Sequence, residues 1–377
     1  MAAINGQEQV KRTFLEPGEK DIERIVSTLF SEAIQKRASD IHILPMRNRV
    51  AVKYRIDGIL HDIVNLAPEI KEGLIIRIKV MSNLIVYKKD IPQDGSIVLP
   101  GRNIELRVTI FPTACGEKAV IRILNSDAFP FKLDNLGFSP DIEKGYRKLV
   151  SKTHGVILLT GPANSGKTTT IYSTIQEKLR QDANCSISSL EDPVEFRFDN
   201  ISQTHVKTSS GLTYAKALKS LLRQDPDVII VGEIRDAETA KMVMEAGLTG
   251  HMVISTIHSG TAASVFVRLL EMDIEPFLMA SAVSGVLAQR LLRKTCENCG
   301  GKGCETCSRT GYDGRTVIGE LVVVDDILRE ALMGKPSLTQ LKEVFTLNRV
   351  KTLLDDGTEK VKRGITSPDE LEKAIQV

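Results

Sequence analysis

Long apolar runs are missing from this chain. No stretch approaches the ~18 consecutive apolar residues that a membrane-spanning helix needs, so no transmembrane segment is expected. The opening segment MAAINGQEQVKRTFLEPGEKD is polar and lacks the apolar centre of a secretion signal, which leads us to expect a cytoplasmic protein. Charge of one sign is also scarce. Lys and Arg number 50 against 48 Asp and Glu, a net charge of +2, so the molecule as a whole draws in neither nucleic acid nor an anionic membrane. Aromatic residues reach only 5%, without a tryptophan, and no basic surface interleaved with aromatics is legible; both points argue against a nucleic-acid partner. Cysteine is sparse as well: of six, four are packed into Cys296–Cys307, and Cys115 and Cys185 lie far away in apolar contexts. That clustering suggests metal more than disulfides and fits a reducing compartment.

What is present is an ordinary globular composition, 42% apolar and 26% charged, in 377 residues, a length that predicts two domains. Residues 1–20 read as a disordered lead-in. Ile22, Ile25, Val26, Leu29, Phe30, Ala33 and Ile34 then follow helical spacing. Val50, Val52 and Tyr54 alternate with polar neighbours, and Asp57-Gly58 supplies a turn before Ile59–Val64, a hairpin signature. A second helix over about 69–82 and strands at Ile104–Ile110 and Lys118–Leu124, split by a turn at Pro112–Gly116, complete an α+β domain over 21–125. Residues 126–148, with Pro130, Gly137 and Pro140 among many charges, read as a linker. From Val156 onward apolar strand-like runs alternate with helical patterns, which predicts a largely parallel sheet covered by helices. The second domain is expected over 149–377, with a metal element at 294–316 and helices at 325–377.

Gly161-Pro162-Ala163-Asn164-Ser165-Gly166-Lys167-Thr168 fits G-x-x-x-x-G-K-[ST] and stands after a buried strand and before a helix, where a phosphate-binding loop belongs. Backbone N–H groups of such a loop wrap phosphates, the Lys167 ammonium neutralises the β/γ oxygens, and Thr168 can ligate Mg²⁺; Thr169 follows in the first helical turn. The bland alternative is a glycine-rich turn before a lysine. Asn164 is expected at positive φ, which Asn tolerates better than most residues. Val228–Val231 ends in Gly232-Glu233, placing a carboxylate where the γ-phosphate would lie, so Glu233 is the candidate to orient or deprotonate water. The bland alternative is that it simply pairs with Arg235 or Arg223. Glu191 after the preceding strand can order Mg²⁺ or water, or simply belong to a solvated turn. His258, at the far end of the strand that begins after His251, can sense the γ-phosphate or be structural.

Cys296-x2-Cys299-x4-Cys304-x2-Cys307 presents two knuckles whose four thiolates suit tetrahedral Zn²⁺ with no open position, a structural rather than catalytic site; disulfides and an iron–sulfur cluster are the alternatives.

Nine ordered blocks carry a resemblance over nearly the whole chain from about residue 20: ASDIHILP, YRIDGIL, IPQDG, RVTIFPTACGEKAVIRIL, GPANSGKTTT, LEDPVEF, LLRQDPDVIIVGEIRDAET, TGHMVISTIH and TGYDGR. Together they resemble the secretion ATPase superfamily, specifically its type II secretion and type IV pilus assembly ATPases. The resemblance implies a PAS-like N-terminal domain, a RecA-like P-loop domain with a tetracysteine zinc element, and a homohexameric ring using Mg-ATP. It implies work on an inner-membrane platform protein, with the chain cytoplasmic and peripheral to that membrane. By position Glu233 matches the Walker B glutamate, Glu191 and Asp192 fall in the Asp box, and His251 and His258 in the His box. Arg107 and Arg122 match arginines brought to the nucleotide by the N-terminal domain, and the tetracysteine belongs with assembly or secretion rather than retraction. Four departures stand out. Ala163-Asn164 replace a common Thr-Gly, Leu44 a Glu and Lys219 an Arg, and only four residues separate the knuckles. The docking domain that precedes many relatives is also not expected here. A nucleic-acid translocase and a nucleotide-gated scaffold with negligible turnover are the competing functions.

Overall fold

The computed structural model describes residues 21–99, 104–125, 131–207 and 210–376; the expected lead-in over 1–20 and the start of the expected linker lie outside them. The chain divides into two compact units, Met1–Phe129 and Pro130–Val377.

In the first unit, helix α1 (Ile22–Gln35) is capped by the Asp21 carboxylate, which accepts the N–H groups of Glu23 and Arg24. Strands β1 (Asp40–Pro45), β2 (Val50–Ile56) and β3 (Ile59–Leu66), helix α2 (Lys71–Met81), and strands β4 (Gln93–Val98), β5 (Ile104–Thr113) and β6 (Gly116–Asn125) follow. They form one antiparallel sheet in the order β3-β2-β1-β6-β5-β4. The β2–β3 hairpin turns on Asp57 (φ 48°) and Gly58 (φ 86°), the left-handed pair that a two-residue hairpin requires. β5 runs through Thr113, so its turn to β6 is shorter than the expected Pro112–Gly116.

Alternation along β5 decides what each face carries. Ile104, Leu106, Val108 and Ile110 are buried in one core with Leu29 of α1 and Leu74 and Ile78 of α2. Arg107 consequently belongs to the other face, directly opposite Arg122 of β6. Arg122 is in turn opposite Asp40 of β1, and Asp40 opposite Arg55 of β2. One transverse row thus reads Arg55, Asp40, Arg122, Arg107.

The second unit corrects the expected linker over 126–148. Helix α3 (Pro140–Val150) buries Ile142, Tyr146, Leu149 and Val150. Pro140 sits at its first turn and Gly137 (φ 82°) turns the chain before it, so the residues read as linker punctuation are helix-start signals. Then come β7 (Gly155–Thr160), α4 (Lys167–Gln181), β8 (Ile187–Glu191), β9 (Ser202–His205), α5 (Tyr214–Leu221), β10 (Val228–Ile234), α6 (Ala237–Leu248) and β11 (Met252–Ile257). After these follow α7 (Ala262–Glu271), α8 (Pro276–Ala282), β12 (Val283–Thr295), β13 (Tyr312–Val323), α9 (Asp326–Met333), α10 (Leu338–Leu347), α11 (Leu353–Lys362) and α12 (Pro368–Ile375). The sheet order is β13-β12-β7-β11-β10-β8-β9, parallel except for β13. Alternate residues of β7 feed two cores, Val156 and Leu158 one, Ile157 and Leu159 the other, as expected of a sheet sandwiched between helices. Among the described residues no helix is long and apolar enough to cross a membrane.

Candidate functional site

The cradle begins where β7, buried along its whole length, stops at Thr160. Gly161 (φ 148°), Asn164 (φ 62°) and Gly166 (φ 90°) all take positive φ, and Asn164 does so as its residue type and motif position predict. Helix α4 starts at Lys167 with no side-chain cap and no acidic residue in its first turn. Its first N–H groups and the positive end of its dipole therefore face the loop, a ready anion site. Lys167 Nζ donates to the carbonyls of Gly161 and Pro162, both at 2.8 Å, which holds the ammonium across the loop. Burial first, then the charge of Arg290, push its pKa down, while Glu233 opposes them.

Parallel strands deliver their C-terminal ends to one side of a sheet, and here those ends meet beside α4. A cavity of about 220 Å³ is lined by Lys167 and Thr168 of the cradle, Glu191 at the end of β8 and Asp192 after it, Glu233 of β10 and His258 after β11. Glu233 is bonded by Arg235, the pairing weighed as its bland alternative, and its other oxygen lies 3.6 Å from His258 Nε2. That hydrogen bond from Arg235 raises the guanidinium's pKa. Glu191 is buried and held by three donors: Tyr172 Oη at 2.6 Å, Ser189 Oγ at 2.6 Å and Gln203 Nε2 at 3.0 Å. It is a fixed wall of the cavity rather than the solvated turn. Sequence reasoning missed Tyr172 and Gln203, whose separations from Glu191 follow no motif. Asp192 Oδ1 lies 3.8 Å from His205 Nε2. His251 stands at the opposite end of β11 from His258, its ring against the Ala246 carbonyl at 3.3 Å, so the strand separates these two histidines. Arg107 and Arg122 lie in the first unit, where Arg122 Nε donates to Asp40 Oδ1 at 3.1 Å.

The cysteine pattern also closes in space. The Sγ atoms of Cys296, Cys299, Cys304 and Cys307 lie within 4.8 Å of one another, unbonded. Three pairs stand at 3.8, 3.8 and 3.7 Å. Thiolates about 2.3 Å from a central zinc form a tetrahedron with edges of about 3.8 Å, so the donor set fits one such ion. The N–H groups of Gly303, Cys304 and Gly311 point at Cys299 and Cys307 sulfurs at 3.2, 3.1 and 3.3 Å, an arrangement that favours thiolate. The hydrogen bond from Cys304 N–H leads in pulling the Cys307 thiol down to about 6, whereas burial pushes Cys296 up.

A buried strand, a loop of three left-handed turns, an uncapped helix start and carboxylates at neighbouring strand ends define a P-loop nucleoside triphosphatase. The lineage within that class follows from comparison. The family described as type II/IV secretion system protein matches residues 16–373, and the chain belongs to it. It is 42% identical over 359 residues to the type II secretion system protein HxcR of Pseudomonas aeruginosa, covering 92% of this chain and 76% of that one. Identity to the type IV pilus assembly ATPase PilB of Thermus thermophilus is 40% over 386 residues, 95% of this chain and 43% of PilB. Identity to the type II secretion system ATPase E of Vibrio cholerae is 39% over 375 residues, 92% and 74% of the two chains. The Legionella pneumophila ATPase DotB shares the fold, with a TM-score of 0.76 over 95% of this chain and 97% of that one at 22% identity. The pilus retraction motor PilT, solved with ADP, gives 0.69 over 94% and 96% at 26% identity. The chain is an ATP hydrolase of the type II secretion and type IV pilus assembly family.

Proposed function

We propose that the chain is a cytoplasmic motor that hydrolyses Mg-ATP as a homohexamer. Its work is the assembly of a type IV pilus or a type II secretion pseudopilus through an inner-membrane platform protein. The observation that carries the hydrolytic part is the meeting of Lys167, Thr168, Glu191, Glu233 and His258 around one cavity beside an uncapped helix start. The loop N–H groups and Lys167 bind the phosphates, and the left-handed residues keep those donors aimed before substrate arrives. Thr168 would hold Mg²⁺, which supplies charge neutralisation at the phosphate oxygens. Glu233 orients the attacking water and takes its proton; Arg235 on one oxygen fixes the carboxylate's plane. His258, 3.6 Å from the other oxygen, would sense the loss of the γ-phosphate. The zinc element would hold its ion structurally through all four sulfurs. The first unit, which we read as PAS-like, would bring Arg107 and Arg122 to the phosphates and so convert hydrolysis into domain movement.

The test is steady-state phosphate release with and without Mg²⁺, combined with native mass measurement. Glu233→Gln is expected to lower turnover about 100-fold or more while ATP binding persists. Unchanged turnover in that variant overturns the role given to Glu233, and a chain that stays monomeric with every nucleotide overturns the ring.

A further inference from the structure

Strand β12 outruns its neighbour. Its register against β7 ends with Ala288 opposite Thr160, where β7 gives way to the cradle, yet β12 continues to Thr295. Residues 289 and 290 therefore lie level with the phosphate loop, and as consecutive strand residues they face opposite sides of the sheet.

On one side, Gln289 is only 1% exposed. Its Nε2 donates to the Ser165 carbonyl at 2.8 Å, and its Oε1 accepts from the Thr170 hydroxyl at 3.0 Å. The backbone crowds the loop too: a Cβ on Gly161 would stand 2.5 Å from the Gln289 carbonyl. One residue thus touches the cradle at its first glycine, at its serine and at the first turn of α4. Only a side chain that both donates and accepts makes the second and third contacts together; glutamate lacks the donor and leucine lacks both.

Arg290 works on the other side. It is buried, and donates through Nη1 to the Gln289 carbonyl at 3.0 Å and through Nη2 to the Gly260 carbonyl at 2.7 Å. Its Nε has no partner among the described residues, a cost that fold stability alone does not favour. Glu320 of β13, opposite Ala288, accepts the Ala262 N–H at 2.9 Å. The Thr160 hydroxyl lies 2.8 Å from the Ile257 carbonyl and 2.9 Å from that of Ser259. The backbone on either side of and after His258 is therefore held at residues 257, 259, 260 and 262 by side chains of β7, β12 and β13.

We propose that Gln289 and Arg290 are paired positioning residues for ATP hydrolysis. Gln289 sets the phosphate cradle, and Arg290 at Gly260, together with Glu320 at Ala262, sets the loop that carries His258. The strand between them fixes the spacing of the two. The assignment rests on the ATP-hydrolysing reading of this site and adds a division of labour to it.

The experiment measures ATP affinity by calorimetry and kcat by phosphate release on the full chain, with thermal melting beside both. Gln289→Leu is expected to raise the ATP Kd about tenfold with little change in kcat. Arg290→Lys keeps the charge but cannot span both carbonyls, and is expected to lower kcat about tenfold at unchanged Kd. Thr170→Val removes only the Oε1 partner of Gln289, and decides the matter if Gln289→Leu does not melt cooperatively; its Kd is expected to rise about threefold. Folded variants with wild-type Kd and kcat overturn the proposal, as does an equal fall of both parameters in every variant. A wild-type chain that folds but never turns over ATP overturns the hydrolytic reading instead.

Discussion

Three left-handed residues give the cradle its shape, and only two of them are glycine. Gly161 admits no side chain, because a Cβ would sit 2.5 Å from the Gln289 carbonyl. Asn164, at φ 62°, keeps a side chain in the same backbone region. Asn164→Gly is therefore expected to leave ATP affinity nearly unchanged, whereas Asn164→Val should destabilise the fold by about 1–2 kcal/mol and weaken binding; melting curves and calorimetry check both. The conformation of Asn164 was legible in the sequence, since the motif fixes the loop and few residue types accept its backbone angles. The environment of Glu191 was not. Its donors Tyr172 and Gln203 are 19 and 12 residues away and meet it only because α4 and β9 pack beside β8.

At the scale of elements, α3 and α4 are joined through a carboxylate. Glu177, buried on α4, takes Arg147 of α3 at 2.9 Å and Arg180 at 2.7 Å. Hydrogen bonds from Arg180 foremost, with Gln181 and Arg147, hold its carboxyl down at about 2 against the opposing effect of burial. Because the folded pKa lies below the ordinary 4.5, this stabilisation is complete above 4.5 and fades as pH falls towards about 2. Glu177→Gln should cost ~1 kcal/mol at neutral pH, screening around the exposed Arg180 keeping the figure small, and the difference should shrink on acidification in urea titrations. Helix α3 was misread in the sequence because proline and glycine punctuate helices as well as linkers. The β12–β13 hairpin escaped for a different reason: VSGVLAQRLLRKT is apolar without a clean period, and such a run does not distinguish strand from helix. Its tip carries the cysteines, which were legible from spacing alone. Cys304→Ser is expected to abolish the proposed binding of one zinc per chain and lower the melting temperature; elemental analysis checks the first, and unchanged zinc content in the variant overturns the four-sulfur site.

At the scale of the whole molecule, the two compact units carry different parts of the proposed reaction. Strand–helix alternation from Val156 announced a parallel-sheet unit, although that unit already begins at Pro130, but the charge row of the first sheet could not be read that way. It needs the register of four strands, which sets Arg55, Asp40, Arg122 and Arg107 in line. Arg107 and Arg122, directly opposite each other, each face a carboxylate, Arg107 Nε lying 4.0 Å from Glu105 and Arg122 Nε 3.1 Å from Asp40. Arg107→Ala with Arg122→Ala should lower kcat at least about tenfold while the ATP Kd changes little; wild-type kcat in the double variant overturns their proposed reach to the phosphates. β12 passes the phosphate loop at Gln289 and ends at Thr295, beside the first cysteine of the four-sulfur cluster. Its amide protons are therefore a natural ruler: deuterium uptake along 289–295 should slow from one end when ATP is added and from the other when zinc is added to the metal-free chain.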